Sequence, residues 1–224
     1  MSLVKFENVS KTYDLGKTVV EALKGVSLDI EKGEFLSIVG PSGSGKTTML
    51  NLLGCMDVPT SGKVFINDQD ISNLNDKQAT ELRLRTIGFI FQSFNLIPVL
   101  TVYENIELPM ILQKRLKKDY TKKITDILDE VGLTKYASHR PDELSGGQRQ
   151  RVAIARALIC DPHIILADEP TANLDSETGT SILEMMKEIN REHQTTFIFS
   201  THDPMVMNYA SRKVVLKDGK IIQE

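Results

Sequence analysis

Residues 36–54 read LSIVGPSGSGKTTMLNLLG. An apolar run (Leu36, Ile38, Val39) meets Gly40, then Pro41-Ser42-Gly43-Ser44, then Gly45-Lys46-Thr47-Thr48. Helix formers follow, with apolar Met49, Leu50, Leu52 and Leu53. The order is strand, glycine-rich turn, helix, and the junction carries the pattern G-x-x-x-x-G-K-T of a phosphate-binding loop. Glycines let backbone N–H groups close around a phosphate chain. The helix behind them adds its unpaired N–H groups and the positive end of its dipole. Lys46 would reach the β- and γ-phosphates, and the Thr47 hydroxyl would ligate Mg²⁺. A chance match to the pattern has little reason to fall between a strand and a helix.

With 224 residues, one or two domains and a sizeable core are possible. The chain is 41% hydrophobic and 25% charged, ordinary for a globular protein, and its formal net charge of −3 offers no broad basic field for nucleic acid. The two cysteines, Cys55 and Cys160, lack metal-ligand spacing and read as free thiols of a reducing compartment. Nothing ahead of the first strand reads as a signal peptide, and no apolar run reaches the roughly 18 residues of a membrane span. A cytoplasmic chain is the expectation.

Outward from the loop, residues 4–9 alternate as a half-buried strand, Tyr13 follows it, and residues 23–30 read as a second strand. A lone aromatic such as Tyr13 is by itself more often core or surface filler than a ligand contact. After the loop come a short strand at 63–67, a helix over 77–85 capped by Asp76, and a buried strand over 87–91 ending at Gln92. Residues 93–160 then lose all strand signal. Helices are expected over 102–115, kinked or broken by Pro109, over 120–131, ended by Gly132, and from Ser145 to about 160. A cluster of Lys114, Arg115, Lys117, Lys118, Lys122 and Lys123 reads as a solvated face or, alternatively, as a membrane-surface patch. Strands resume at 164–167 and 197–199, with a helix over 176–192 between them, and an Asp218-Gly219 turn closes a terminal hairpin. The fold class is α/β: a P-loop NTPase core with a mainly parallel sheet, an N-terminal antiparallel β subdomain and an inserted α-helical subdomain. Its predicted divisions are 1–92 with 161–224, and 93–160.

The remaining chemistry sits at strand ends. Asp168-Glu169 follows the apolar run directly, and alternation along an extended chain gives the two carboxylates different roles. Asp168 would face the Mg²⁺ and Glu169 would polarise a water before the γ-phosphate; an acidic helix cap ahead of Pro170 is the plain alternative. His202 and Gln92 also follow strands, at the edge where open α/β sheets bind ligands. Leu144-Ser145-Gly146-Gly147-Gln148 opens a helix and is a second anion-binding device, though many helix caps look alike.

The segments 40–47, Gln92, L-S-G-G-Q (144–148), I-I-L-A-D-E (164–169), A-N-L-D (172–175) and His202 together resemble the ATP-binding-cassette ATPases, over nearly the whole chain. The resemblance implies that Tyr13 stacks on adenine and residues 40–48 hold the phosphates of ATP. It implies that Gln92 and Asp168 join Thr47 around Mg²⁺, that Glu169 is the catalytic base and that His202 contacts the γ-phosphate. It further implies that Ser145, Gly147 and Gln148 face the nucleotide held by a second copy, in an ATP-dependent head-to-tail dimer. Asn173 departs from the small residue common at its place in the 172–175 loop. The stretch 94–102, with Glu104-Asn105, is similar to cassettes of the lipoprotein-release, macrolide-export and cell-division group. That likeness implies an integral membrane permease docking near residues 92–105, with the chain peripheral on the inner face of the cell membrane. The alternatives are the ATPase of a non-transporting transmembrane signalling complex, an importer subunit, or a soluble cassette ATPase.

Overall fold

The computed structural model describes residues 2–14, 16 and 18–224. In chain order the elements are β1 (Ser2–Asp14), β2 (Val19–Glu31), β3 (Phe35–Val39), α1 (Lys46–Leu53), β4 (Ser61–Ile66), β5 (Gln69–Asp70), α2 (Asp76–Thr86), β6 (Ile87–Ile90), α3 (Val102–Leu112), α4 (Lys117–Glu130), α5 (Gly146–Leu158), β7 (Ile164–Asp168), α6 (Ser176–His193), β8 (Thr196–Thr201), α7 (Pro204–Tyr209), β9 (Arg212–Lys217) and β10 (Lys220–Gln223). Strands β2-β1-β4-β5 form an antiparallel sheet, and β10-β9-β3-β8-β7-β6 form a second sheet that is parallel apart from the β9–β10 hairpin.

The continuous apolar runs are buried on both faces, as a covered parallel sheet requires. Ile164 and Leu166 of β7 and Ile198 of β8 face one core, shared with α1 and the antiparallel sheet. Ile165, Ala167, Phe197 and Phe199 face the other, under α3, α5 and α6. The helical insert α3–α5 is thus seated on one face of the sheet, and α1 lies beneath the opposite face. In α4, Tyr120, Ile124, Ile127 and Leu128 form the buried stripe at helical spacing.

Several local expectations are corrected. Tyr13 lies inside β1, because pairing continues to Tyr13↔Val20 and Asp14↔Val19. Asn75, not Asp76, caps α2: its side chain accepts from Gln78 N while Gln78 reaches back, a reciprocal capping box. Pro109 does not break α3, which runs on to Leu112. An interior proline costs about 3 kcal/mol. Burial of Val102, Ile106 and Met110, at about 1.5–3 kcal/mol each, outweighs it. The short helix α7 has no counterpart in the sequence reading; Asp203 caps it and Pro204 starts it. The lysine cluster is partly engaged, Lys123 pairing with Asp161 and Lys117 lying 3.6 Å from Glu107. Cys55 and Cys160 are free and half-buried, and burial pushes the pKa of both thiols up to about 11. No helix among the described residues is long and apolar enough to cross a membrane.

Candidate functional site

Strand register brings the sequence-predicted residues together. In the parallel sheet Val39 pairs with Thr201, Asp168 with Ser200, and Ile90 with Ala167. The chain therefore leaves β3, β6, β7 and β8 at one edge, releasing Gly40, Gln92, Glu169 and His202 around a shared cleft. That cleft, of about 850 Å³, is lined by residues 41–43 and 45–48 of the loop, by Gln92, Asp168, Glu169 and His202, and by Tyr13 from the antiparallel sheet.

The loop geometry explains its glycines. Gly43 and Gly45 take left-handed φ of 77° and 108°, and a Cβ on Gly45 would lie 2.5 Å from the Ala22 carbonyl oxygen. Gly45 is also the N-cap of α1 and supplies no side-chain cap, so the amides of the first turn stay directed at the cleft. Lys46 Nζ donates to the carbonyls of Gly40 (2.8 Å) and Pro41 (3.0 Å), which folds the ammonium back over the loop. Ser44 is buried, with a hydroxyl that has no hydrogen-bond partner in the described structure.

The two carboxylates part company for a reason that alternation alone does not supply. Asp168 ends β7, whereas Glu169 takes a left-handed φ of 45°, a turn imposed just beyond the strand. Asp168 stays beside Ser200 and Lys46. Burial pushes its carboxyl above the usual range; the Ser200 hydrogen bond opposes this, the Glu169 charge adds to it, and Lys46 opposes it. Glu169 turns the other way. Its Oε2 accepts from Thr201 Oγ1 at 2.9 Å, and its Oε1 accepts from His202 N at 3.2 Å and pairs closely with His202 Nδ1. Glu169 is thus held at two oxygens, with His202 largely exposed at the cleft mouth. The acidic-cap alternative for this pair falls away, since Asp175 caps α6.

Tyr13 is fixed by partners that the sequence did not signal. Its hydroxyl donates to Asp57 Oδ2 at 2.8 Å, and Lys11 Nζ sits 4.9 Å from the ring centroid while donating to Val58 O and bonding Asp57. Thr201, Ser200 and Asp57 are therefore orienting residues that sequence reasoning missed. Thr201 and Ser200 lie one and two residues before His202, and that adjacency is the signal that could have found them; Asp57 carries no pattern.

Ser145, Gly147 and Gln148 stand apart: none of them lines the cleft. Ser145 Oγ accepts from Gln148 N at 3.3 Å and Gln148 Oε1 accepts from Ser145 N at 2.9 Å, a capping box at the start of α5. The serine hydroxyl keeps its own hydrogen for a further acceptor. Gly147 has a packing reason as well, because a Cβ there would lie 2.5 Å from Thr178 Cγ2 of α6.

The donor set of Thr47 hydroxyl, Asp168 carboxylate and Gln92 amide is all oxygen, suited to a hard divalent cation such as Mg²⁺, and a partly buried carboxylate is the group that such a cation would relieve. Glycine-rich loop, strand-end carboxylates and inserted helical region define the class: a P-loop nucleotide-binding ATPase of the cassette type. Residues 23–172 match the ABC transporter family model. The chain is 48% identical over 226 residues to the ABC transporter ATP-binding protein MJ0796 of Methanocaldococcus jannaschii, covering 99% of this chain and 96% of that one. It is 43% identical to the lipoprotein-releasing system ATP-binding protein LolD of Legionella pneumophila, covering 96% of this chain and 95% of LolD. It is also 43% identical to the macrolide export ATP-binding/permease protein MacB of Brucella melitensis, covering 99% of this chain and 34% of MacB. The solved dimeric post-hydrolysis structure of MJ0796, bound to ADP and Pi, superposes with a TM-score of 0.89 at 48% identity, covering 98% of this chain and 97% of that one. The chain belongs to the ABC transporter family, as an ATP-binding, ATP-hydrolysing cassette subunit.

Proposed function

We propose that this chain carries one half of a two-site ATPase and that a second copy completes each site. ATP lies in the cleft with its phosphates on the amides of residues 40–48 and on Lys46, and its adenine against Tyr13. Thr47, Gln92 and Asp168 would hold Mg²⁺, which when bound would supply charge neutralisation at the phosphate oxygens. Glu169 accepts a proton from water as the water oxygen bonds to the γ-phosphorus and the bond to the β-phosphate oxygen breaks, releasing ADP and phosphate. Thr201 and His202 aim that carboxylate, and His202 contacts the γ-phosphate. Ser145, Gly147 and Gln148 reach the γ-phosphate in the other copy's cleft. The observation that carries the reading is the separation itself: one chain gathers the loop, the metal donors and the base, yet leaves an anion-binding helix start outside. The dimer of MJ0796 with ADP and Pi supports it.

The driven partner is an integral membrane protein of the export or lipoprotein-release type, as the names of LolD and MacB suggest. Its docking place is the groove of about 650 Å³ beside residues 92–105, where Phe89, Phe91, Pro109 and Leu112 supply apolar walls and Arg83 and Arg156 supply positive charge. Within 92–105 itself, Glu104 and Asn105 already have local duties: Glu104 completes the α3 capping box, and buried Asn105 bonds the carbonyls of Ile97, Leu100 and Thr101. Through that partner the chain sits on the inner face of the membrane. On this reading the chain divides into 1–92 with 161–224 and 93–160, so the helical insert begins just after Gln92.

Glu169→Gln tests the chemistry. ATP affinity stays near that of the wild type while turnover falls about 10²- to 10⁴-fold. Undiminished turnover in that variant would remove Glu169 as the base.

A further inference from the structure

We infer that Asn173 is a positioning residue for Gln92, an inference that rests on the metal-binding role proposed for Gln92. Asn173 Nδ2 donates to the Gln92 carbonyl at 2.8 Å, across 81 positions of sequence. Under that reading the two residues belong to the loops that carry a metal donor and the base. Asn173 lies four positions after Glu169, in a turn tied to it by Ala172 N to Glu169 O (3.2 Å) and by Leu174 N to Thr171 O (3.0 Å). Gln92 lies in the turn closed by Phe94 N to Phe91 O (3.0 Å), where the helical insert leaves β6.

The far side of that turn is gripped by α5. Phe94 and Asn95 both take left-handed backbone conformations, at φ 62° and 50°, which non-glycine residues adopt at a cost. Arg156 secures them, donating to Phe94 O at 2.8 Å and Asn95 O at 2.5 Å, and the Arg149 guanidinium lies 5.3 Å from the Phe94 ring. A turn held on its insert side by α5 and on its sheet side by β6 has its middle carbonyl fixed by Asn173. Helical insert and base-carrying loop are thereby joined at the residue that would touch the metal. A small side chain at 173 has no such donor. The departure from the common residue therefore has a physical consequence: in this chain the Gln92 backbone, from which the side-chain amide extends, is tied to the base-carrying loop before nucleotide arrives.

Equilibrium ATP binding tests this in the Glu169→Gln background, where nothing turns over, measured once with Mg²⁺ and once with EDTA. The gain in ATP affinity from Mg²⁺ should shrink roughly 3- to 10-fold in Asn173→Ala and in Asn173→Asp, the span expected for one hydrogen bond. Affinity in EDTA and the melting temperature should stay unchanged, and amides 91–95 should exchange hydrogen faster in both variants. Asn173→Ala added to Gln92→Ala should cause no further loss. If Gln92→Ala loses the Mg²⁺ gain while Asn173→Ala keeps it, the positioning role is wrong and the role of Gln92 stands. If Gln92→Ala keeps the full gain, the metal role of Gln92 falls and this inference with it. A melting-temperature loss without a change in the Mg²⁺ gain would make Asn173 merely structural.

Discussion

The cleft at the edge of the parallel sheet and the first turn of α5 each offer the start of a helix, a setting that suits an anion, yet they stand in opposite situations. Around the cleft, four strands deliver the proposed cation donors, a fixed carboxylate and a glycine-rich loop, all from one chain. The start of α5 offers a serine hydroxyl and a helix dipole, and no other part of that cleft comes with it. The contrast teaches that assembly here is division of labour. In the proposed reading the reacting groups come from one chain, while the last phosphate contact is left to a neighbour.

Breaking the cleft side should have the largest effect. Lys46→Ala removes charge-assisted hydrogen bonds of the stronger kind. ATP affinity should fall by one to two orders of magnitude, roughly, in a fluorescent-nucleotide titration, with hydrolysis lost alongside. Wild-type affinity would mean that the loop amides hold the triphosphate unaided. Breaking the other side should look different. Ser145→Arg sets a bulky cation at the exposed helix start, so binding to the isolated chain should be spared while hydrolysis and ATP-driven dimer formation are lost. A Ser145→Arg protein that hydrolyses ATP normally would end the role proposed for this turn.

The smallest effect sharpens the cleft from its rim. Burial pushes the Asp57 carboxyl up, but hydrogen bonds from Lys11, Tyr13 and Val58 outweigh it and leave the group below its ordinary value. A carboxylate depressed on folding contributes stability above its unfolded pKa, and that contribution is lost as pH falls through the folded pKa. Asp57→Asn should therefore lower the melting temperature modestly at neutral pH, with the gap to wild type closing in acid below the unfolded pKa near 4. It should also weaken ATP binding a few-fold by releasing Tyr13, an effect about the size of one hydrogen bond. A gap that persists unchanged in acid would show that packing, not charge, holds this corner.

The α/β class, the antiparallel entry sheet and the helical insert were legible because they rest on periodicity and on glycine-rich punctuation. The site residues were legible because a parallel sheet sends its strand ends to one edge, so Gln92, Asp168, Glu169 and His202 needed only correct strands behind them. What stayed hidden depends on tertiary contact. The continuation of α3 through Pro109 follows from burial on the insert core, and Tyr13 falls inside β1 because β2 extends to meet it. The separation of Asp168 from Glu169 was expected from alternation, yet it comes from a left-handed turn after the strand. Thr201 and Asp57 belong to hydrogen-bond networks between segments far apart in sequence, which no local pattern announces. Asn173 was visible as an oddity, but its partner was not.

The central claim, that the working site needs two chains, is tested most directly by the mass of Glu169→Gln measured by light scattering on a sizing column. With Mg²⁺ and ATP the protein should elute as a dimer, and without nucleotide as a monomer. A monomer under both conditions, accompanied by a wild-type specific activity that does not change with protein dilution, would contradict the account.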